Sequence, residues 1–165
     1  MMPVSGAWHF ILWVHYIALA LWIGGITFVS AVAAPATHRS MASKVVAGEI
    51  ISRILKRLNG VEFGSCLALL CTTLTSFHFV AGQERLLWNL VLTIGFMGLL
   101  TSFYAFYLTP RMDSLKEKIP TLDTLSAHHG AKMEFDRLHA IYVKLMSLNL
   151  VLGLIALYGS VVILK

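Results

Sequence analysis

Long stretches without Asp, Glu, Lys or Arg divide this chain into four apolar segments. The first carries no charge before Arg39 and is apolar over residues 7–33. The others are uncharged over residues 63–83, 86–110 and 145–164. About 20 consecutive apolar residues cross the hydrocarbon core of a bilayer, where a charged side chain costs several kcal/mol. The pattern therefore predicts four membrane-spanning helices, over about 7–33, 60–82, 87–109 and 138–164.

The segment before the second predicted span has a different pattern. Residues 41–58 place apolar side chains at helical intervals, with basic residues mostly between them. This spacing predicts an amphipathic helix that either lies on the membrane surface or extends the second span, with a hinge at Asn59 and Gly60. We expect residues 1–165 to form a single all-α domain, an integral membrane four-helix bundle.

Composition supports the membrane assignment. The 165 residues are 58% hydrophobic and only 13% charged, and the mean hydropathy is +0.77. Soluble enzymes, secreted disulfide scaffolds and nucleic-acid-binding domains are excluded, because uncharged stretches of spanning length dominate the chain. The expected partner is the lipid bilayer, and no nucleic acid is expected.

The basic residues predict the orientation, because they collect in loops on the cytoplasmic side of a membrane. Residues 34–59 hold five of the 13 and residues 109–137 hold five more. The opposite loops hold only Arg85 and Lys165. We predict that both termini lie on the non-cytoplasmic side of the plasma membrane, and that the net charge of +5 reflects this topology.

Two histidines fall inside predicted spans, where an ionisable side chain is by default a candidate for function. With a rise of ~1.5 Å per residue, His15 and His78 lie about 7 and about 10 Å from the bilayer centre, both toward the outside. On the first helix, the expected inward stripe consists of His15, Ala18, Trp22, Gly25 and Val29. On the second helix, the expected inward stripe is Cys71, Thr75, His78 and Gly82.

Two histidines at matched depth on facing helices are what bis-histidine ligation of haem b requires, and they are also a two-ligand beginning of a metal site. We therefore predict haem b or a related tetrapyrrole between helices one and two. His15 and His78 would bind its iron, with Trp22 and Gly25 beside the ring. The alternative is that both histidines only form hydrogen bonds across the bundle.

A second polar group is predicted nearer the inner end of the spans. Glu62 and Lys144 lie at similar depths, so a salt bridge between them, separate snorkelling of each to the inner interface and a proton relay all stay open. His139 is expected to join them at the interface. Asn149, near the centre of the fourth helix, is expected to form a hydrogen bond across the bundle.

Several segments resemble a known family. Residues 15–25, followed by 27–30 and Pro35, resemble the first helix of the uncharacterised four-helix membrane domain family that includes the human transmembrane protein two hundred and five. Residues 106–111 are similar to that family's helix-three exit, and residues 135–139 to its fourth-helix entry. The resemblance implies a multi-pass membrane protein, and the family has no established biochemical activity.

A more distant likeness concerns His15 and Trp22. They are similar to a helix-one pattern of the membrane-bound four-helix protoporphyrinogen oxidase of bacteria, which binds haem. The helix-three lysine of that enzyme has no counterpart, because no charged residue lies between Arg85 and Arg111. The likeness therefore implies haem and not the oxidase activity.

Three functional classes follow from these observations. The first is a small haem b protein for electron transfer, which we predict because it uses the two level histidines. The second is a small-molecule transport or efflux component, with an aqueous path near Glu62, Lys144 and Asn149. The third is an accessory or structural subunit of a larger membrane complex.

Overall fold

The structure is a computed structural model that describes residues 6–118 and 130–164. Its helices are α1 (Gly6–Phe28), α2 (Ala34–Ser40), α3 (Lys44–Ser76), α4 (Glu84–Phe103), α5 (Thr109–Lys118) and α6 (Gly130–Ile163). Short π-helical turns, Val29–Ala33 and Tyr104–Leu108, join α1 to α2 and α4 to α5. The described chain is all-helical, as the sequence predicts, and four of its continuous helical segments are long and apolar enough to span a membrane.

The four long helical segments form a ring in which each packs against two neighbours. α1 contacts α3 and α6, and α4 contacts the same two helices. Consecutive segments run in opposite directions, which is the up-down-up-down arrangement of a four-helix bundle. One end of the bundle carries residues 34–58, 109–118 and 130–139, and we call it the basic end. The side of the membrane on which it lies stays a prediction.

The amphipathic segment 41–58 is part of the second span. α3 continues from Lys44 to Ser76 without a break at Asn59 or Gly60. The Ser43 hydroxyl accepts a hydrogen bond from the backbone N–H of Val46 at 3.5 Å and so caps the start of the helix. Apolar residues of the segment, including Ala47, Ile51 and Leu58, are buried. The apolar face of this segment therefore packs inside the protein.

Two prolines account for the positions of the π-helical turns. Pro35 and Pro110 are each the second residue of the helix that follows such a turn. A proline has no N–H to donate and crowds the carbonyl four residues earlier, which lies within the preceding turn. The wider π-helical turn relieves this conflict without breaking the helix, and single turns of this kind are frequent at functional sites.

The outward surface of the bundle is apolar. Several large side chains are 66–74% exposed, and they are Leu67, Leu92, Leu99, Phe106 and Tyr158. A soluble protein rarely exposes such a continuous apolar surface, whereas lipid tails cover it without cost. Together with the four spans, this surface makes the chain a multi-pass membrane protein.

Gly98 allows α4 to approach α3 closely. A Cβ atom on Gly98 would lie 2.7 Å from the Sγ of Cys66, whereas one on Gly95 would have nothing within 4 Å. We expect Gly98→Ala to lower the free energy of unfolding in detergent by about 1–3 kcal/mol through overpacking. Gly95→Ala, the matched control, is expected to raise it by up to about 1 kcal/mol, because Ala is the better helix former.

Titration with a denaturing detergent, followed by circular dichroism, measures both changes. A Cys66→Ala background removes the crowding sulfur atom, so the loss caused by Gly98→Ala is expected to disappear there. Equal effects of Gly98→Ala and Gly95→Ala would contradict the close approach of the two helices.

Candidate functional site

A carboxyl group lies inside the bundle near its mid-length. Glu62 is 1% exposed and is close to the midpoint of the span Val46–Ser76. Its hydrogen-bond partner Tyr104 directly follows α4, and Asn149 of α6 contacts that tyrosine. An acidic side chain buried inside a membrane-spanning bundle is costly and is therefore a functional candidate by default.

Tyr104 supplies the hydrogen bond to this carboxyl group. Its hydroxyl oxygen lies 2.7 Å from each carboxyl oxygen of Glu62. Tyr104 is fully buried and is the first residue of the second π-helical turn. Thr109 closes that turn, since its hydroxyl donates to the Tyr104 carbonyl at 2.9 Å. The turn before Pro110 therefore contributes the tyrosine that reaches Glu62.

Two further groups support the tyrosine hydroxyl. The Nδ2 atom of Asn149 lies 3.0 Å from the Tyr104 hydroxyl and 3.0 Å from the Thr101 Oγ1. The Thr101 and Tyr104 hydroxyls are 2.9 Å apart. Because Tyr104 has one proton and points it at Glu62, the Thr101 hydroxyl and the Asn149 amide both donate to the tyrosine oxygen. We call Glu62, Tyr104, Thr101 and Asn149 the carboxyl network.

The carboxyl network leaves Glu62 with little compensation for a negative charge. An ionised carboxylate has about four acceptor sites, and the Tyr104 hydroxyl is its one hydrogen-bond donor among the described residues. No ion pair with Glu62 occurs within the described parts of the chain. The geometry suits a carboxyl group that can hold a proton.

A second buried pair lies next to the carboxyl network. The Tyr142 hydroxyl donates to the Oδ1 of Asn59 at 3.2 Å, and Asn59 is about one turn of α3 away from Glu62. The rings of Tyr142 and Tyr104 have centroids 5.0 Å apart. Tyr142 also lines a cavity of about 290 Å³ at the basic end. The tyrosine pair therefore connects this cavity with the buried carboxyl group.

The structure brings together only two of the four polar residues Glu62, Lys144, His139 and Asn149. It brings Glu62 and Asn149 together through Tyr104, but Lys144 is exposed and makes no salt bridge with Glu62. Tyr142 points into the bundle, and a residue two positions further along a helix lies on a different face. Lys144 is therefore directed away from the core of the bundle. His139 borders the cavity at the basic end, where its ring is parallel to that of Phe135 with a centroid distance of 6.3 Å.

His15 belongs to a separate polar layer on the other side of mid-length. Its Nδ1 lies 2.8 Å from the Thr72 hydroxyl oxygen, and its Nε2 lies 2.8 Å from the Ser160 hydroxyl oxygen. Thr72 and Glu62 are ten residues apart on α3, or about 15 Å along the helix axis. Thr72 can also donate to the carbonyl of Ala68, at 2.8 Å. His15 therefore ties α1 to α3 and α6.

The stripe predicted for the second span is not the inward face of α3. Cys71, Thr75 and His78 are exposed, as is Gly82 in the turn before α4. The buried face instead contains Ser65, Thr72, Thr73 and Ser76. His78 lies just beyond Ser76, where α3 ends, so it is on a turn and is not level with His15 on a facing helix. The predicted stripe of α1 does face inward, with His15, Ala18, Trp22 and Val29 buried.

These positions do not fit a haem held by His15 and His78. Both ring nitrogens of His15 already lie at hydrogen-bond distance from hydroxyl groups, and His78 is exposed. No group of three or more His, Cys, Asp or Glu side chains that could hold a metal ion occurs in residues 6–118 and 130–164. Haem binding stays a prediction, and we derive no chemistry from it.

Trp22 and Gly25, predicted to lie beside the haem ring, contribute to helix packing. Trp22 is fully buried, and its Cδ1 would be 3.6 Å from a Cβ atom on Gly153. A Cβ atom on Gly25 would be 2.6 Å from the Cδ1 of Leu58. Gly153 therefore lets α6 approach α1, and Gly25 lets α1 approach α3.

Three buried polar atoms have no hydrogen-bond partner among the described residues. They are the Nε1 of Trp22, the Oδ1 of Asn149 and the Oγ1 of Thr73. Trp22 and Asn149 lie in one region, because Met97 is close to both. The Met97 carbonyl accepts a hydrogen bond from the Asn149 side chain at 3.3 Å. A Cβ atom on Gly153 would lie 3.6 Å from the Met97 Cε and 3.6 Å from the Trp22 Cδ1. An orphaned donor and an orphaned acceptor thus lie near the carboxyl network, where buried polar groups usually have partners.

Sequence reasoning missed Tyr104, Thr101, Tyr142 and Asn59. Thr101 and Tyr104 are three residues apart in the uncharged stretch 86–110, so they lie on one helix face. That spacing was the available signal. The relative rotation of α4 and α3, which aims this face at Glu62, is a property of the packed bundle.

The comparisons with known proteins bear on the family and leave the activity open. Comparison with curated proteins and with solved structures gave no match, so the likenesses to the human transmembrane protein and to protoporphyrinogen oxidase stay predictions. A family model described as a domain of unknown function, DUF4149, matches residues 17–120, which is more than half of the chain. The matched part includes Glu62 and Tyr104, whereas Asn149 lies beyond it. The chain therefore belongs to the DUF4149 family.

Proposed function

We propose that this protein is a proton-coupled transport component in which Glu62 carries the proton. The observation that carries the proposal is the burial of Glu62 at mid-length of the bundle, with Tyr104 as its hydrogen-bond donor and no ion pair among the described residues. A carboxyl group with so little compensation is more stable when protonated, and any event that brings water or a cation to it favours release of the proton. Such a group can couple protonation to a conformational change.

The surroundings of Glu62 support a route toward one side of the membrane. Tyr142 lies between the cavity at the basic end and the carboxyl network, because it lines the cavity and its ring packs on that of Tyr104. Hydroxyl groups in this position can pass a proton between the cavity and Glu62 through water. The Nε1 of Trp22 and the Oδ1 of Asn149, which have no partner among the described residues, supply further hydrogen-bonding groups near the carboxyl network.

The helix irregularity at Tyr104 supports the same proposal. Single π-helical turns inside longer helices are frequent at functional sites. In this chain the π-helical turn Tyr104–Leu108 begins at the residue that holds Glu62. A change in that turn would alter the tyrosine's contact with the carboxyl group and so its preference for a proton.

Infrared difference spectroscopy of the purified protein in detergent tests whether Glu62 exchanges its proton. The carboxyl stretching band is recorded while the buffer is moved from acidic to alkaline. We expect a band that titrates in wild type and is missing in Glu62→Gln. Glu49→Gln is the matched control, since Glu49 is on the same helix but is exposed and paired with Arg53. It is expected to retain the band.

Proteoliposomes with a pH-sensitive dye inside provide the functional measurement. Under an inward proton gradient and a clamped membrane potential, and without added substrate, passage of protons by way of Glu62 is expected to acidify the lumen in wild type and in Glu49→Gln. Glu62→Gln is expected to match protein-free liposomes. If Glu62→Gln behaves like wild type in both measurements, Glu62 is a static structural group and the proposal fails in favour of an accessory role.

A further inference from the structure

The cavity at the basic end is lined by lysine and histidine side chains. These are His38, Lys116, Lys132 and His139. They come from α2, α5 and α6, which are distant in sequence, so the fold alone brings them together. Asp113 is the one acidic residue in the described lining.

Some of these charges already have partners. The carboxyl group of Asp113 is 2.7 Å from the Nζ of Lys56, so its negative charge is compensated from outside the cavity lining. The Nζ of Lys132 is 3.2 Å from the carboxyl group of Asp136. Since both of these charges have partners of opposite sign, the positive charge of Lys116 is the one that Asp113 does not cancel.

Lys116 is the basic group best placed to receive an anion. No carboxyl group lies within ion-pair distance of its Nζ in the described parts of the chain. Its Nζ lies 5.2 Å from the ring centroid of Phe135 and would be 3.5 Å from a Cβ atom on Gly48. The aromatic ring and the bare glycine hold the ammonium group over the cavity and leave its donors available.

Most of the remaining wall of the cavity is apolar. It is formed mainly by Ile51, Leu55, Met112 and Phe135. A volume of about 290 Å³ is at the low end for ligand sites, which suits a headgroup and the first carbons of a chain. A free inorganic anion would use the basic side and leave the apolar wall without a contact.

We propose that this cavity binds the phosphate group of an amphiphile, with Lys116 meeting the phosphate and the apolar wall holding the adjoining carbons. The site shares its cavity with the proposed proton route, but binding is tested independently of that route, because it requires no gradient and no movement of a proton. If the amphiphile is also the transported substrate, that further role rests on the proposed function. Lipid phosphate and free phosphate share the same headgroup chemistry, so the experiment must separate them.

Native mass spectrometry of the full chain in detergent provides the measurement. Phosphatidic acid is the probe, phosphatidylcholine with the same acyl chains is the lipid control, and inorganic phosphate is the competitor. We expect one phosphatidic acid per chain, bound in preference to phosphatidylcholine and not displaced by inorganic phosphate at the same concentration. Lys116→Gln is expected to weaken binding about tenfold, the scale of one lost charge-assisted hydrogen bond.

Two variants make the result specific to the cavity. Lys118→Gln removes the same charge from the same helix, but Lys118 is exposed and outside the cavity lining, so wild-type binding is expected. Lys116→Arg keeps the charge and is expected to retain most of the binding. Equal losses in Lys116→Gln and Lys118→Gln would reduce the effect to general attraction by a basic surface and overturn the proposal. Saturation by inorganic phosphate alone, or equal binding of phosphatidylcholine, would overturn it as well.

Discussion

Trp22→Ala is expected to lower the free energy of unfolding in detergent by about 3–5 kcal/mol, the usual cost of truncating a fully buried Trp. Trp22 is 0% exposed and packs where Gly153 leaves room for it on α6. Within a membrane, lipid tails are as apolar as the protein core, so the loss comes from missing packing contacts and from the cavity that remains. Denaturing-detergent titration followed by near-ultraviolet circular dichroism measures the change.

Trp13→Ala is the matched control for this prediction. Trp13 is on the same helix and is 60% exposed on the outward surface, where lipid can fill the space that the ring leaves. A change within about 0.5 kcal/mol is expected for such a surface position. Comparable losses in the two variants would mean that Trp22 does not organise the packing of α1 against α6.

Tyr104→Phe is expected to cost about 2–4 kcal/mol of unfolding free energy, because it removes the hydroxyl donor to Glu62 and the acceptor for Asn149 while both stay buried. The same assay measures this loss. Tyr158→Phe, which changes an exposed tyrosine on α6, is expected to leave stability unchanged.

The double variant Tyr104→Phe with Glu62→Leu distinguishes a coupled network from a packing effect. Removing both partners of a buried polar interaction is less costly than removing one. The double variant is therefore expected to be more stable than Tyr104→Phe alone. If the two losses simply add, the tyrosine and the carboxyl group are not coupled, and the carboxyl network is wrong.

The four spans could be predicted because charge is excluded from the hydrocarbon core, a constraint that acts on each segment separately. The inward stripe of α1 was predictable too, since His15, Ala18 and Trp22 recur at helical spacing. The residues at which the helices begin and end were harder to predict. The prediction placed the fourth span at 138–164, whereas α6 begins at Gly130, because helices can continue into water as amphipathic segments once tertiary contacts cover one face.

The rotation of α3 was the point at which sequence reasoning failed. Cys71, Thr75 and His78 share one face, and Ser65, Thr72 and Ser76 share another, and both faces mix small and polar residues. A helix of this composition has no strong preference for one side, so periodicity cannot choose between them. The hydroxyls of Thr72 and Ser160 meet His15 only after three helices have packed.

The sequence by itself determined that this protein is a bundle of four membrane-spanning helices, since burial of uncharged segments in lipid depends on local composition alone. It also marked Glu62, Asn149 and His15 as polar groups at membrane depth. Only the tertiary structure decided their partners, which are Tyr104 for Glu62 and the hydroxyls of Thr72 and Ser160 for His15. It also decided that Lys144 and His78 are exposed and do not contact these groups. Hydrogen bonds act over about 3 Å, so they depend on helix rotation and on turns such as Tyr104–Leu108, which long-range packing sets.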